Sequence, residues 1–182
     1  MTKRVIGFCG LPGSGKSTAI EAIADLGKIV TMGDVIRKEA IERGLSLTDE
    51  NLGFVAKDLR EVYGNNIIAK RCIHIIKSQS QDVIFIDGLR SMDEVEVFRG
   101  HWRFPVVAII ISQQKRFEII RNRARDDDPS SLEELELRDE REIQFGLKEV
   151  IEKANFRIAN EGSITQLKKE TRQKVKKILK IY

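Results

Sequence analysis

Cysteine is scarce in this 182-residue chain. Its two cysteines, Cys9 and Cys72, fit no metal-site spacing. Cys9 sits in an apolar run and Cys72 beside Ile68, Ile73 and Ile76, so both are expected to be buried free thiols of a reducing compartment. No apolar run approaches the roughly 20 residues that span a bilayer. The opening Met1-Thr2-Lys3-Arg4 enters a strand-like run at once and lacks the apolar centre of a secretory signal, so a cytoplasmic protein is expected. Internal repeats, low-complexity tracts and linkers are absent. The net charge is +4, and basic and acidic residues interleave almost everywhere, whereas a nucleic-acid binder gathers its excess on one face. The basic stretch Lys168 to Lys180 carries Leu167, Val175, Ile178 and Leu179 on one side, which reads as a surface helix with a solvated face. A hydrophobic content of 41% against 33% charged residues supplies a proper core for one domain and excludes a disordered chain.

Five short apolar runs read as buried parallel strands: Val5 to Cys9, Lys28 to Thr31, Val83 to Asp87, Val106 to Ile111, and Phe156 to Ala159. Helical patterns separate them, at 16–25, 34–43, 49–63, 67–77, 92–98, 113–123, 132–153 and 164–179. Thr48 and Ser163 stand where helix caps are needed. Strands alternating with helices predict an α/β fold of three layers, α/β/α, around a five-stranded parallel sheet. The long stretch between the second and third strands is wholly helical in pattern.

Gly10-Leu11-Pro12-Gly13-Ser14-Gly15-Lys16-Ser17-Thr18 satisfies G-x-x-x-x-G-K-[ST], after a strand and at the start of a helix. Glycines let the backbone curl so that successive N–H groups face phosphate oxygens, and the helix start adds partial positive charge there. Lys16 is expected to reach the β- and γ-phosphates, Ser17 to ligate Mg²⁺ and Thr18 to support the α-phosphate. Asp87, closing an apolar strand, is the second expected metal-side residue. The loop therefore predicts a P-loop NTPase fold that takes ATP with Mg²⁺.

Further segments carry a family resemblance. Thr31-Met32-Gly33-Asp34-Val35-Ile36-Arg37 resembles the segment after the second strand of adenylate kinases, and Asp87-Gly88-Leu89-Arg90 resembles their Asp-Gly-Phe-Pro-Arg turn. Arg121 and Arg125 look like the paired arginines at the lid entrance. Asn160-Glu161-Gly162-Ser163 resembles the last loop of nucleoside monophosphate kinases and dephospho-CoA kinases, where the base of the triphosphate is received. The chain thus resembles the archaeal adenylate kinase-related P-loop family, within the nucleotide and dephospho-CoA kinase group.

That resemblance implies a core over 1–32 and 81–182, a helical acceptor-binding insertion over about 33–80, and a short lid over about 121–141. It implies that Arg37 and Arg90, with Gly33, Asp34 and Gly88, hold the acceptor, that Arg121 lies over the donor, and that Arg125 and Arg138 close from the lid. Asn160 and Gly162 would flank the donor base. Arg60 belongs to the same insertion and faces either cleft or solvent. Three departures stand out: Met32 replaces the usual Thr, the turn 87–90 is one residue shorter and lacks proline, and the lid shrinks to Asp126-Asp127-Asp128-Pro129 without zinc-type cysteines.

Phosphoryl transfer asks for alignment and charge neutralisation, which Arg supplies as a rigid, permanently charged fork. Asp34 separates two chemistries. With a phosphate acceptor such as AMP it orients water around Mg²⁺; with a hydroxyl acceptor such as dephospho-CoA it accepts the hydroxyl proton. A third reading, an NTPase switch associated with RNA or protein, follows from the short lid. Nucleic acid and membrane are otherwise not expected as partners. Arg123, Arg141 and Arg172 are expected in surface ion pairs, and His74 packed or capping among its isoleucines.

Overall fold

The structure is a computed structural model that describes residues 3–123 and 131–182. Its sheet has five parallel strands in the order β2-β3-β1-β4-β5: β1 (Arg4–Cys9), β2 (Lys28–Thr31), β3 (Val83–Asp87), β4 (Val106–Ile110) and β5 (Phe156–Ala159). All five expected strands are present.

Alternation along the strands divides the core in two. Val5 and Cys9 of β1, Ile84 and Ile86 of β3, and Val106 and Ala108 of β4 point to one face. That face is covered by α2 (Met32–Glu42), α3 (Asp49–Tyr63), α4 (Ile67–Ser78), α5 (Met92–Arg99) and α8 (Leu147–Glu152). Ile6, Phe8, Phe85, Val107 and Ile109 point to the other, under α1 (Lys16–Glu21) and α9 (Ile164–Ile181). A period of two on strands buried on both faces gives this three-layer result.

Local chemistry explains the helix starts. Thr48, Ser91 and Ser163 each accept a hydrogen bond from a backbone N–H three residues on, at 3.2 Å, opening α3, α5 and α9. Asp49 and Glu50 add negative charge to the first turn of α3. Three expectations are corrected. The first helix ends at Glu21, because Ile23, Ala24 and Leu26 donate to carbonyls only three residues back and tighten the chain into turns. The expected single helix 132–153 is two, α7 (Leu132–Gln144) and α8, since Gly146 takes a φ of 101° that a continuing helix cannot hold. His74 is exposed: the buried stripe of α4 is Ile68, Ala69, Cys72, Ile73 and Ile76, and His74 falls off it. The two cysteines are free and buried as expected. The surface pairing of Arg172 is present too, with both guanidinium arms on Asp25 at 2.5 and 2.6 Å.

Among the described residues no helix is long and apolar enough to cross a membrane.

Candidate functional site

The carboxyl ends of the strands meet where the chain switches direction across the sheet, the usual ligand position in such folds. Phe8 of β1 is paired with Asp87 of β3, and Asp87 with Thr31 of β2, so these three ends lie level. The loop 10–15 leaves β1 at this point and runs into α1.

That loop is shaped by its glycines and its neighbours. Gly13 and Gly15 hold φ of 78° and 88°, a region costly for other residues. A Cβ on Gly15 would also lie 2.4 Å from Asn160 Nδ2. Asn160 is buried and supports the loop from behind by donating to the Ser14 carbonyl at 3.0 Å. On the other flank Arg116, from α6 (Gln113–Arg123), donates to the Pro12 carbonyl at 3.2 Å. The same guanidinium grips both oxygens of Asp139 on α7, with its Nη1 arm at 2.6 Å. The Ser14 hydroxyl is buried and meets no hydrogen-bond partner among the described residues.

Lys16 reaches across to the Asp87 carboxylate, and both side chains are mostly shielded. They border one cavity of about 390 Å³ together with Ser17, Thr18, Gly88 and the loop 10–15. Ser17 is exposed towards solvent, and its hydroxyl with the Asp87 carboxylate gives two hard oxygen donors on that cavity. Among the described residues no cluster of three acidic, His or Cys side chains could hold a metal alone. The donor set therefore suits Mg²⁺ that takes its remaining ligands from phosphates and water. Cys9, just before the loop, is held protonated: burial pushes its thiol up to about 12 against the opposing pull of Lys16.

A second cavity, about 310 Å³, adjoins the first. Arg37, Arg90, Arg138 and Glu142 border both and form the wall between them. Gly33, Ile36, Leu52, Ala56 and Phe145 complete its apolar side. Each cation of the wall already has a carboxylate. Arg37 bonds Asp34 at 3.1 and 2.5 Å, Arg90 bonds Glu142 at 2.5 Å, and Arg138 lies 3.8 Å from Asp49. Burial alone would lower the Arg90 guanidinium, but Glu142 together with Glu94 and Asp87 more than offsets it and holds it above the ordinary arginine value. Asp34 is two-thirds exposed and borders neither cavity.

Arg60 is buried rather than solvated. It donates to Glu94 at 2.8 Å and to the Ala56 carbonyl at 2.9 Å, and its guanidinium lies 4.6 Å from the centre of the Phe145 ring. Burial pulls its pKa below the usual arginine range, with Glu94 opposing. The other oxygen of Glu94 accepts from the Arg90 backbone N–H at 2.8 Å. One fully buried carboxylate thus ties α3 to the turn that carries Arg90.

The structure brings together most residues singled out in the sequence. Leu11, Pro12, Gly10, Gly13 and the rest of the loop border the first cavity, Gly33 the second, and Arg37, Arg90 and Arg138 both. Asn160 lies behind the loop. The carbonyl of Gly162 accepts from Lys115 Nζ at 2.9 Å, while the Glu161 carboxylate accepts the Ser112 N–H at 2.6 Å, so this segment is pinned to the start of α6. Arg125 lies outside the described residues, as do the side chains of Arg121, Arg123 and Arg141.

Sequence reasoning missed Arg116, Asp139, Glu142 and Glu94. Glu94 had a legible signal: Ser91-Met92-Asp93-Glu94 has capping-box spacing at a helix start. Glu142 follows Arg138 by one helical turn, which suggests only a shared face. Nothing local marks Arg116 or Asp139.

The AAA domain family AAA_18 matches residues 6–144. A UPF0200 protein of Methanosarcina mazei is 40% identical over 172 residues, covering 93% of this chain and 92% of its own. A UPF0200/UPF0201 protein of Archaeoglobus fulgidus is 47% identical over 182 residues; this chain spans 56% of that longer relative. Among solved structures, TT1252 from Thermus thermophilus superposes with a TM-score of 0.64 at 16% identity, covering 97% of this chain and 98% of its own. Shikimate kinase from Acinetobacter baumannii, in complex with shikimate, gives 0.60 at 15% identity, covering 98% and 94%. These two likenesses show a kinase-like P-loop fold. On the extent of the family match and of the curated relatives, the chain belongs to the UPF0200 family and carries an AAA domain of the AAA_18 type.

Proposed function

We propose that the protein is an ATP- and Mg²⁺-dependent phosphotransferase whose acceptor is a nucleoside monophosphate, with AMP the first candidate. The observation that carries this reading is the shared wall: three arginines stand between the P-loop cavity and a second cavity of about 310 Å³, large enough for a small ligand. An acceptor phosphate on one side and a γ-phosphate on the other would both be neutralised by the same forks.

An oxygen of the acceptor phosphate attacks the γ-phosphorus. The bond from that phosphorus to the β–γ bridging oxygen breaks, and its electron pair stays on the β-phosphate of the departing ADP. The acceptor leaves as a diphosphate. The attacking oxygen is already anionic, so no base is required. Lys16 exchanges Asp87 for the β- and γ-phosphates, and the Ser14 hydroxyl gains the partner it lacks. Ser17 and Asp87 would hold Mg²⁺, which neutralises charge on the phosphates when bound. Arg37, Arg90 and Arg138 would exchange their carboxylates for phosphate oxygens. Support for a phosphate rather than a hydroxyl acceptor comes from Asp34, whose carboxylate borders neither cavity and so has no acceptor hydroxyl within its reach there.

The test is transfer from labelled ATP to AMP, CMP, GMP, UMP and dephospho-CoA in turn. ADP formed from ATP plus AMP is the expected result. ATP binding with no product from any monophosphate overturns the reading. Transfer to dephospho-CoA alone would mark a hydroxyl kinase, and acceptor-free hydrolysis stimulated by RNA would mark an NTPase switch.

A further inference from the structure

The cavity proposed to take the acceptor has a neighbour on its outer side. Asp49, Gly53 and Phe145 border it, and the same three residues border a wider cleft of about 590 Å³ on its outer side. From Lys16 outward, three cavities thus follow one another through shared walls.

The outer cleft runs along one face of α3. Asp49, Gly53, Lys57 and Glu61 succeed one another at intervals of four, and Gly53 to Glu61 is about 12 Å along a helix. Gly53 stands at the doorway in mid-helix, where glycine costs about 1 kcal/mol relative to alanine. As a glycine it adds no side chain to the wall that the two spaces share with Asp49 and Phe145. Beyond it, the exposed ring of Phe54 and the ring of Phe145 line the cleft, with the amides of Asn65 and Gln144. Phe145 is a wall of both spaces, while Arg60, stacked on its ring, borders only the outer one.

We infer that the acceptor is elongated: a phosphorylated nucleoside carrying a second ring, whose first part fills the inner cavity and whose extension passes Gly53 onto Phe54 and Phe145. Lys57 and Arg60 stand against Asp49, Glu50 and Glu61, so the lining has no strong net charge, and two aromatic faces beside amide donors and acceptors suit a flat heterocycle better than an alkyl chain. This rests on the phosphotransferase reading for which end of the acceptor faces Lys16, but its test is a binding measurement and stands apart from turnover.

The experiment titrates the full chain calorimetrically with AMP and with 5′-phosphorylated diadenylate, each with a non-hydrolysable ATP analogue present. The longer ligand is expected to bind at least about tenfold tighter, roughly 1.4 kcal/mol. In a Phe54→Ser, Lys57→Ala double variant the advantage should fall to within twofold while AMP binding is kept. Both positions border the outer cleft only and are exposed, so the fold tolerates the change. Gly53→Leu, which places a good helix former in the doorway, should also remove the advantage. Equal binding of the two ligands by the wild type, absence of binding by either, or an advantage that survives both variants overturns the inference. A binding advantage without phosphoryl transfer to either ligand would instead overturn the kinase reading and leave this one standing.

Discussion

On the proposed reading, the donor and acceptor sides of the cleft are built from different materials. The donor side is main chain: a glycine-rich loop between β1 and α1, held from behind by Asn160 on one flank and Arg116 on the other. The acceptor side is side chain: Arg37 from α2, Arg90 from the turn after β3 and Arg138 from α7, each resting on a carboxylate. A backbone cradle is preorganised by dihedral angles and changes little on binding. An arginine wall must exchange partners, so its carboxylates act as placeholders for the acceptor. The donor half is thus expected to behave as fixed, the acceptor half as switchable.

Several measurements break or sharpen that contrast. The largest effect is expected from Lys16→Ala: about a thousandfold loss of turnover, near 4 kcal/mol, with weaker triphosphate affinity by titration. If both stay unchanged, the donor half has been misread. Removing the buried carboxylate of Glu94 should cost about 3 kcal/mol of stability in urea unfolding, because the buried Arg60 is left charged without the carboxylate that it bonds. Replacing both, as Arg60→Met with Glu94→Leu, should recover most of that loss; no recovery would mean that the Arg90 backbone bond, not the ion pair, carries the effect. Arg90→Ala is expected to cost about a hundredfold in kcat/KM for the acceptor, roughly 2.7 kcal/mol, and under tenfold in ATP affinity. Equal losses for the two ligands would dissolve the distinction between the walls.

The smallest effect concerns pH. Glu39 accepts from Arg71 at 2.6 Å and from Arg43 at 2.9 Å, and first Arg71, then Arg43, hold its carboxyl below the ordinary range. A depressed folded-state value means stability that is present above the unfolded glutamate value, about 4.3, and lost as pH falls through the lower folded one. Solvent screening keeps the contribution to about 1 kcal/mol or less. Glu39→Gln should therefore flatten the acid limb of the unfolding midpoint below about pH 4 and leave neutral pH nearly untouched. An acid limb identical to the wild type would exclude this group.

How much of the site was readable follows the same division. The loop 10–18 was legible because curling a backbone round phosphates demands glycines at fixed spacing. The strands were legible because burial on both faces demands short β-branched runs. The break at Gly146 was hidden within a continuous helical pattern, since one left-handed residue leaves the apolar periodicity on either side intact. Asp34 stood in a segment of recognisable pattern, yet its carboxylate turned out to face solvent beside Arg37. Side-chain direction at a helix start depends on what packs against it, which spacing alone does not reveal.

From the order of its residues alone, the chain settles a three-layer P-loop fold, the phosphate cradle and the strand ends that surround it, because each is enforced by backbone conformation or by periodic burial. Only the tertiary structure decides that Arg116 and Asp139 brace the loop, that Glu94 joins Arg60 to the Arg90 turn, and that Gly53 borders two neighbouring cavities. These depend on contacts between side chains far apart in sequence, and long-range packing leaves no local signature for a pattern to carry.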